Sequence, residues 1–423
     1  MLNILGINIS ISNKQEILKK ISGFLDGDKS RYIVTPNPEF LLEAKKDEEF
    51  FYILNKADIA IPDGVGLIFA GLFRGKKIKR ISGIDLMYDI CALAEKQNKS
   101  IFLLGGAGEV AHEAGKKLKI LYPSLQIVGA ESGLQAEEWQ IEGGMWKKGE
   151  SANKKLIAKI DKVKPDIIFV AFGQVKQEKW IHHAITPPPT PPIGKERGAM
   201  KLSSVKLMMG VGGSFDFIAG RIKRAPKIMR ALGLEWAWRL LQEPFKRLPR
   251  IFKAVVVFPL VFFRWRFINP WLYRSNVACL LYKRENDNIK VLIAERRSPI
   301  GHWQLPQGGT DGEKLEIAGS RELREEVGTD KFKTVKVFKN LHKYRFGNEA
   351  SRGGVRSQQI LGYKGQKQGL FIAEFTGKDE DITINYWDHR DWKWIETKDL
   401  VKTVDMYRKE ATKIFLDKFK EII

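Results

Sequence analysis

The sequence is short of cysteine, of long apolar runs and, in one stretch, of acidic residues. Cys91 and Cys279 are the only cysteines among 423 residues, so a disulfide framework is excluded and a reducing, cytoplasmic environment fits best. No apolar run reaches the roughly 18–20 residues that a helix needs to cross a bilayer. Residues 251–263 come closest, but Lys253 and Pro259 interrupt them. We therefore expect a protein without membrane-spanning helices.

Acidic residues are nearly missing from residues 221–270, which hold 12 Lys or Arg against two Asp or Glu. The whole chain carries a formal charge of +22, of which residues 271–423 supply +6, from 29 basic and 23 acidic residues. So basic a block indicates an anionic partner: nucleic acid, an anionic membrane face or a phosphorylated substrate. A merely solvated basic face would not explain the apolar residues that alternate with the cations.

Apolar runs alternate with amphipathic helical patterns through the first part of the chain. This alternation predicts an α/β fold in which helices cover both faces of a parallel sheet. Ligands bind beyond the carboxyl ends of the strands in such sheets, so the polar residues after each strand are candidates for a site. The predicted strands are residues 31–35, 57–61, 100–104, 126–129, 165–171 and 205–209, with helical patterns such as 110–121 and 156–163 between them.

Polar clusters follow four of these strands. Taken singly each is weak, because paired glycines usually mark a tight turn, and Asp63 is equally suited to be a helix N-cap or turn residue. Four clusters at the same edge of one sheet favour a binding site over four unrelated turns. The clusters are TPNPE at 35–39, PDGVG at 62–66, GGAG at 105–108 and FGQVKQE at 172–178.

Together with later blocks, these clusters resemble the WecG/TagA/CpsF glycosyltransferases over roughly residues 1–250. That family transfers an N-acetylmannosamine-type sugar from a UDP donor to a polyprenyl-diphosphate-linked acetamido sugar. The resemblance implies a Rossmann-like domain and an inverting transferase that needs no metal, peripheral at the inner face of the cytoplasmic membrane. The later blocks are RISGID at 80–85, GVGGSFD at 210–216, RIKRAP at 221–226, GLEW at 233–236 and EP at 243–244.

The resemblance also assigns roles to single residues. An inverting transfer needs a base that takes the proton from the acceptor hydroxyl, and by resemblance Asp63 is that base. Thr35 and Asn37 would hold sugar or acceptor groups. Charge develops on the diphosphate of the leaving UDP, and arginines stabilise it where no metal does. The other predicted contacts are Arg80, Asp85 and Gln177 in the donor pocket and Arg221, Arg224 and Arg230 at the diphosphate.

The basic block also carries many aromatic residues. Aromatic side chains that alternate with Lys and Arg are typical of helices lying in an anionic membrane interface. Two alternatives stay open: the aromatic residues pack on the first domain, or the segment binds RNA. By resemblance, this arm both completes the active site and contacts the membrane. Its aromatic residues are Trp236, Trp238, Phe245, Phe252, Phe258, Phe262, Phe263 and Trp265.

Two segments of the first domain depart from the family pattern. Residues 186–200 are rich in proline and predict a stiff, exposed loop. Residues 136–153 form a longer and more polar connection than a simple sheet needs. Neither interrupts a motif.

After Pro270 the composition changes, which predicts a second domain. Residues 276–282 and 289–295 indicate antiparallel strands around a polar turn. The predicted organisation is an α/β domain over residues 1–220, a basic and aromatic arm over 221–270, and a further domain over 271–423.

Three glutamates mark the second domain. Glu322, Glu325 and Glu326 lie at i, i+3 and i+4 of a helix predicted over residues 315–327, so one helical face presents three carboxylates. Like charges at this spacing repel unless a divalent cation collects them. A solvated acidic face is the alternative, and the flanking glycine-rich loop and Arg321 argue against it.

Residues 308–328 resemble the Nudix box, with one residue fewer than the pattern between Gly309 and Gly312. Nudix enzymes hydrolyse nucleoside diphosphates linked to another moiety and use Mg²⁺ or Mn²⁺. The resemblance therefore implies an α+β Nudix fold and a metal site. The implied residues are Glu322, Glu325 and Glu326 at the metal, with Glu325 and Glu326 also catalytic, Arg321 orienting them, and Gly308, Arg321 and Lys367 at the substrate.

Blocks outside the box are similar to the diadenosine-polyphosphate hydrolase and RNA pyrophosphohydrolase branch, so the expected partner is a nucleotide or an RNA 5′ end. Three relations between the domains stay open: an independent tethered enzyme, a hydrolase that acts on a metabolite of the transferase, or a nucleotide sensor without turnover. Association with further copies of the chain also stays open. The blocks are residues 303–309, 365–368 and 392–395.

Overall fold

A computed structural model describes residues 1–133, 139–142, 145–186, 202–231, 233–286, 288–346 and 361–423. The chain divides into two compact units; among the described residues the first runs to Phe262 and the second begins at Phe263. No helix in these ranges is long and apolar enough to cross a membrane. Of the predicted proline-rich loop, only Thr186 belongs to the described residues. Residues 136–138 and 143–144 of the predicted polar connection also lie outside them.

The first unit is organised around a six-stranded parallel sheet. Its strands are β3 (Arg31–Val34), β4 (Ile59–Ala60), β5 (Ser100–Gly105), β6 (Gln126–Glu131), β9 (Ile167–Ala171) and β10 (Leu207–Gly210). Their order is β4-β3-β10-β9-β5-β6, and every neighbouring pair is parallel. Two small antiparallel pairs accompany it: β1 (Leu2–Ile4) with β2 (Ile7–Ile9), and β7 (Gln140–Glu142) with β8 (Met145–Lys148).

The parallel sheet confirms the predicted fold class. Because all its strands run the same way, the segments that follow β3, β4, β5, β9 and β10 lie at one edge of the sheet. We call this edge the carboxyl edge. It gathers the polar clusters that were singled out in the sequence.

The first three helices of the first unit begin where the sequence supplies capping residues. The Asn13 side chain accepts from the backbone N–H of Glu16 (3.0 Å), and the Glu16 carboxylate accepts from Asn13 N–H (3.3 Å), which starts the first helix. Pro38 occupies the first turn of the second. The helices are α1 (Lys14–Asp26), α2 (Pro38–Ala44), α3 (Glu48–Lys56), α4 (Val65–Phe73), α5 (Gly83–Lys96), α6 (Val110–Leu121), α7 (Glu150–Val163), α8 (Lys176–Ile185) and α9 (Ser214–Ala219).

The arm is helical, and ion pairs fasten it to the first unit. Arg250 pairs with Glu39 (Nη2 to Oε2, 2.6 Å), and Lys253 pairs with Glu43 (2.9 Å). Both acids belong to α2, at the carboxyl edge. The arm comprises α10 (Lys227–Ala231), α11 (Glu235–Gln242), α12 (Pro244–Phe252), a π-helical turn (Lys253–Val257), α13 (Phe258–Phe263), a second π-helical turn (Arg264–Ile268) and a 3₁₀ turn (Asn269–Trp271).

The second unit is a mixed sheet with helices on both faces. Its strands are β11 (Tyr273–Glu285), β12 (Asn288–Arg296), β13 (Trp303–Gln304), β14 (Gln307–Gly309), β15 (Phe332–Arg345), β16 (Gly365–Phe375) and β17 (His389–Glu396). The main order is β13-β12-β11-β16-β15, with β14 beside β11 and β17 beside β12; only the β11–β16 pair is parallel among these. Its helices are α14 (Leu315–Glu322), α15 (Leu400–Thr403) and α16 (Lys409–Lys420).

The predicted helix over residues 315–327 is not a regular α-helix throughout. After α14 the chain continues as a π-helical turn over Leu323–Val327 and ends at Gly328, whose φ is 69°. A π-helical turn is wider than an α-helical turn, so the three glutamates are not spaced as they would be in a regular α-helix. Glu322 and Glu326 are buried, whereas the side chain of Glu325 is 43% exposed.

Candidate active sites

Asp63 lies beyond the carboxyl end of β4, between two partners. Its Oδ2 accepts from the backbone N–H of Gly83 (3.2 Å), and its Oδ1 lies 3.4 Å from Nε of Arg80. Burial raises the pKa of Asp63 above its usual value, and the Arg80 charge works in the opposite direction. A carboxylate with a raised pKa is suited to accept a proton near neutral pH.

Glu235 of the arm extends this pair into a network. Its Oε2 lies 3.0 Å from Nη2 of Arg80, and its Oε1 lies 3.4 Å from Nε of Arg224. Arg224 in turn pairs with Asp85 through Nη1 (2.8 Å). The structure thus brings together four of the predicted residues, Asp63, Arg80, Arg224 and Asp85, and adds Glu235.

Thr35 and Asn37 follow β3 at the same edge. A Cβ added to Gly83 would lie 3.6 Å from Thr35 and 3.7 Å from the Asp63 carboxylate. The side chains of Thr35 and Asp63 therefore flank the same space beside Gly83. Asn37 caps α2, because its Oδ1 accepts from the backbone N–H of Phe40 (3.0 Å). Contact of Thr35 and Asn37 with substrate stays a prediction.

Arg239 of α11 lies against the glycine loop that follows β10. Its guanidinium carbon is 5.1 Å from the centroid of the Phe217 ring, and its Nη2 is 3.7 Å from the position of a Cβ on Gly213. Burial lowers the pKa of Arg239 to about 10, and the charges of Arg247 and Arg250 add to this effect. Its Nε is buried and has no hydrogen-bond partner within the described ranges. A half-buried cation that two other cations repel favours a bound anion.

The other predicted arginines of the arm stand in different surroundings. Arg221 pairs on the surface with Glu113 of α6 (Nε to Oε2, 2.8 Å), outside the Asp63 network. Nε of Arg230 is buried and has no hydrogen-bond partner in the described structure. Burial raises the pKa of Asp85, but Arg224 and, more weakly, Arg230 bring it below its usual value. The diphosphate role of these arginines stays a prediction.

Gln177 and Glu178 are buried at the start of α8 and tie two loops together. Oε1 of Gln177 accepts from Gly212 N–H (3.1 Å), and its Nε2 donates to Oε1 of Glu178 (2.7 Å). Oε2 of Glu178 accepts from Val175 N–H (2.8 Å). Burial raises the pKa of Glu178 to about 7, against the effect of its hydrogen bonds. A Cβ on Gly210 would collide with both side chains, so any larger residue there would displace them.

Arg321 is the centre of the acidic site in the second unit. Its Nη1 lies 2.8 Å from carboxylate oxygens of both Glu322 and Glu325, and its Nε lies 3.0 Å from Glu313. Its Nη2 donates to the carbonyl of Gly309 (2.7 Å). Burial lowers the pKa of Arg321, but these carboxylates outweigh it and raise the pKa above its usual range. The salt bridges expected of Arg321 are therefore present.

Two buried carboxylates border the glycine strand β14. A Cβ on Gly308 would overlap the carboxylate of Glu322, and the backbone N–H of Gln307 donates to Oε2 of Glu326 (2.8 Å). Carboxylate oxygens are the ligands that Mg²⁺ and Mn²⁺ prefer. Because glycine has no side chain, Gly308 leaves room for the carboxylate of Glu322. The donor chemistry fits a divalent cation. Among the described residues, however, no three Asp, Glu, His or Cys side chains are gathered closely enough to hold an ion.

Buried amides occupy the sheet face that α16 covers further along. Gln366 and Gln368 alternate along β16, and the register places them beside Arg274 and Asn276 of β11. Nε2 of Gln368 donates to Asn276 (3.0 Å) and to Gln307 (2.9 Å). Nε2 of Gln366 and Nδ2 of Asn276 are buried without hydrogen-bond partners among the described residues. A buried N–H group without an acceptor destabilises the folded protein, so a ligand whose acceptor atoms reach these two amides would bind favourably here.

Lys367 lies between these glutamines, so its side chain leaves the opposite face of the sheet. There it is exposed, opposite Lys343 in the register. Its contact with substrate stays a prediction.

Comparison with known families accounts for nearly the whole chain. Residues 2–270 match the model of the glycosyl transferase WecG/TagA/CpsF family. The chain belongs to this family. Residues 272–417 match the NUDIX domain model. This glycosyltransferase therefore also carries a Nudix pyrophosphohydrolase domain.

Sequence relatives match the glycosyltransferase part. The N-acetylglucosaminyldiphosphoundecaprenol N-acetyl-beta-D-mannosaminyltransferase of Bacillus subtilis strain 168 is 30% identical over 246 residues, which are 58% of this chain and 83% of that protein. The protein of the same name from Bacillus spizizenii is 32% identical over 222 residues, 52% of this chain and 75% of that one. Among solved structures, a binary complex of the C. elegans Ap4A hydrolase covers 35% of this chain and 98% of that chain, at 19% identity and a TM-score of 0.27.

Several residues of these sites escaped the sequence reasoning. Glu235 and Glu178 lie inside the motifs GLEW and FGQVKQE, yet only the fold shows that each lies against another motif. Arg239 looks like any other cation of the arm in the sequence. The alternation of Gln366 and Gln368 along a strand was a usable signal, because it places two amides on one face.

Proposed function

We propose that the first unit and the arm transfer an N-acetylmannosamine-type sugar from a UDP donor to a polyprenyl-diphosphate-linked acetamido sugar. The activity named for the Bacillus relatives supports the sugar and the acceptor. One observation carries the proposal: Asp63, with a raised pKa, lies at the carboxyl edge and is held by Arg80 and Gly83.

In this proposal Asp63 takes the proton from the acceptor hydroxyl. The acceptor oxygen then forms its bond to the anomeric carbon while the bond from that carbon to the UDP oxygen breaks, which inverts the configuration. Arg80 orients the carboxylate, and Glu235 holds Arg80 from the arm. Arg239 stabilises the negative charge that develops on the leaving diphosphate, because its half-buried guanidinium lies at the glycine loop and is repelled by other cations. Arg224 and Arg230 extend this cationic region.

We further propose that the arm holds the enzyme against an anionic membrane surface. Phe245, Leu248 and Phe252 are exposed on α12 at a helical spacing, with Phe245 93% exposed, and Arg247 and Arg250 are interspersed among them. Phe245→Ser with Leu248→Ser should weaken binding to vesicles that contain phosphatidylglycerol by about tenfold. Unchanged binding would contradict the membrane role of the arm.

For the second unit we propose divalent-metal-dependent hydrolysis of a nucleoside diphosphate linked to a second moiety. Glu322, Glu325 and Glu326 would hold Mg²⁺ or Mn²⁺, which, when bound, polarises phosphoryl oxygens and lowers the pKa of bound water. Arg321 keeps these carboxylates in position. Gln366 and its neighbouring buried amides would donate to acceptor atoms of the nucleotide.

A reconstituted assay tests the transfer. Purified protein is given UDP-N-acetylmannosamine or UDP-N-acetylglucosamine with a short-chain prenyl-diphosphate N-acetylglucosamine, and the product mass is measured. We expect a disaccharide from the first donor only. Product from neither donor would contradict the proposed activity.

A second assay tests the hydrolysis. Diadenosine tetraphosphate, ADP-ribose and 5′-triphosphorylated RNA are each incubated with Mg²⁺, Mn²⁺ or a chelator. We expect turnover of at least one substrate, and none with the chelator. No turnover of any substrate, combined with a transfer rate that responds to nucleotide, would instead support the nucleotide-sensor alternative.

A further inference from the structure

Residues 64–79 leave the transferase site and return to it. Asp63 precedes this segment and Arg80 follows it, and the ion pair between them (3.4 Å) closes its base. Between Asp63 and Asp85 the sequence has no acidic residue and five basic ones. Any surface that receives this segment is therefore also brought close to the proposed catalytic base.

The helix of this segment, α4, is apolar on its outer side as well as on its packed side. Leu67, Ala70 and Gly71 are buried. Phe69, Leu72 and Phe73 are 58%, 54% and 65% exposed, although they follow one another within five residues. A helix that is apolar on all sides normally lies in protein core or in lipid, so the outer side of α4 calls for an apolar partner.

The arm extends this exposed apolar surface. Phe262 of α13 packs on Phe73, with ring centroids 6.4 Å apart, and Phe258 approaches Gly66. Leu260 is exposed on the same arm helix. The outer side of α4 is therefore continuous with the segment for which we propose membrane contact.

Cations stand directly beside the exposed apolar residues of α4. Arg74, Lys76, Lys77 and Lys79 follow the helix, and all four are exposed. Aromatic and aliphatic side chains next to charge of a single sign suit an anionic lipid surface, where the apolar groups enter the acyl boundary and the cations meet the headgroups. A protein partner would have to offer both an apolar groove and a row of acids.

From this placement we infer that residues 65–79 form a membrane-binding finger for an anionic bilayer. Phe69, Leu72 and Phe73 insert, and the basic residues after them bind headgroup phosphates. The finger sets the Asp63–Arg80 pair at the bilayer surface, where the diphosphate of a lipid-linked acceptor is presented. This inference rests on the proposed transferase function for its consequence, but lipid binding by the finger is measurable without any turnover.

Vesicle co-sedimentation of the full chain tests the finger. The variant Phe69→Ser/Phe73→Ser is compared with Ile120→Ser/Leu121→Ser, a matched pair on α6 whose residues are 71% and 58% exposed. On vesicles of phosphatidylcholine with phosphatidylglycerol, we expect the finger variant to bind about tenfold more weakly and the control variant to bind like the wild type. Equal binding by all three proteins would overturn the inference.

A second pair of variants tests the charges of the finger. Lys76→Glu/Lys77→Glu is compared with Lys116→Glu/Lys117→Glu on α6, where both lysines are also exposed. We expect the first pair to weaken binding to anionic vesicles at least tenfold and the second to weaken it much less, with little difference on phosphatidylcholine alone. Equal effects of the two pairs would show a nonspecific attraction and overturn the finger. Circular dichroism and nucleotide hydrolysis confirm that each variant is folded.

Transfer assays separate this inference from the proposed function. With a short-chain acceptor in solution, Phe69→Ser/Phe73→Ser should transfer at the wild-type rate, whereas with a long-chain acceptor in vesicles it should be about tenfold slower. Wild-type transfer with both acceptors would overturn the finger and leave the proposed function standing. No transfer by the wild type itself would overturn the proposed function, while the binding assay would still decide the finger. The wild type could instead be a dimer and Phe69→Ser/Phe73→Ser a monomer, with vesicle binding unchanged. That result would show that a second copy of the chain covers the surface, and it would overturn the inference.

Discussion

The two units of this chain surround their proposed phosphate substrates with opposite charge. In the first unit Asp63, Glu235 and Asp85 are paired with Arg80 and Arg224. Arg239 stands beside this network, and burial together with the charges of Arg247 and Arg250 lowers its pKa to about 10. In the second unit a single cation, Arg321, faces Glu313, Glu322 and Glu325, and its pKa is raised.

This difference separates two ways of handling a diphosphate. An excess of buried cation can bind the anion directly, as we propose for the first unit. An excess of carboxylate repels the anion unless a divalent cation lies between them, as we propose for the second. The arm and the glutamate cluster are thus alternative solutions to the same electrostatic problem within one chain.

The acidic side of the comparison is tested by Glu326→Gln. Glu326 is buried and accepts from Gln307 N–H, and the amide keeps its shape but removes its charge. We expect nucleotide hydrolysis to fall by about 100-fold or more while sugar transfer is unchanged. Glu316→Gln, on the exposed side of α14, is the matched control and should hydrolyse normally. Normal hydrolysis by Glu326→Gln would remove Glu326 from the site.

The cationic side is tested by comparing Arg239→Ala with Arg221→Ala. Arg239 is half-buried at the glycine loop, whereas Arg221 is held on the surface by Glu113 and must leave that partner to reach a diphosphate. We expect Arg239→Ala to lower kcat for transfer by about 100-fold and Arg221→Ala to lower it by only about threefold. The reverse order, measured with a soluble acceptor, would return the diphosphate role to Arg221.

The smallest effect concerns the buried carboxylate that supports the first site. The pKa of Glu178 is about 7 in the folded protein against 4.5 for an ordinary glutamate, so between these pH values the folded state holds a proton that the unfolded state has lost. Stability of the first unit should therefore fall as pH rises from about 5 to 7, by roughly 3 kcal/mol, and then level off. Urea unfolding of Glu178→Gln should lack this slope; an unchanged slope would show that Glu178 is not its source.

Much of the first site was predictable because it follows from strand order. Apolar runs ending in polar clusters predict a parallel sheet, and a parallel sheet places Thr35 and Asp63 at one edge whatever the details of packing. Contacts across long separations were not predictable: Glu235 meets Arg80 across 155 residues, and nothing local in GLEW indicates that partner.

The second site shows a different limit. The glutamate spacing predicted three carboxylates on one face of a regular helix, which stays a prediction. The backbone over Leu323–Val327 is instead a π-helical turn, and hydrophobic periodicity does not report such a turn. The sequence also could not indicate which of Arg221 and Arg239 is available to bind the diphosphate. It shows two arginines, and only the packing shows that Arg221 has Glu113 as an acidic partner.

The role of Asp63 is tested most directly by Asp63→Asn, with both activities measured on one preparation. Asparagine keeps the size of the side chain but cannot take the acceptor proton. We predict that transfer to a soluble prenyl-diphosphate acceptor falls by about 1,000-fold, while nucleotide hydrolysis by the same sample equals that of the wild type. Transfer within about threefold of the wild type would contradict the assignment of Asp63 as the base.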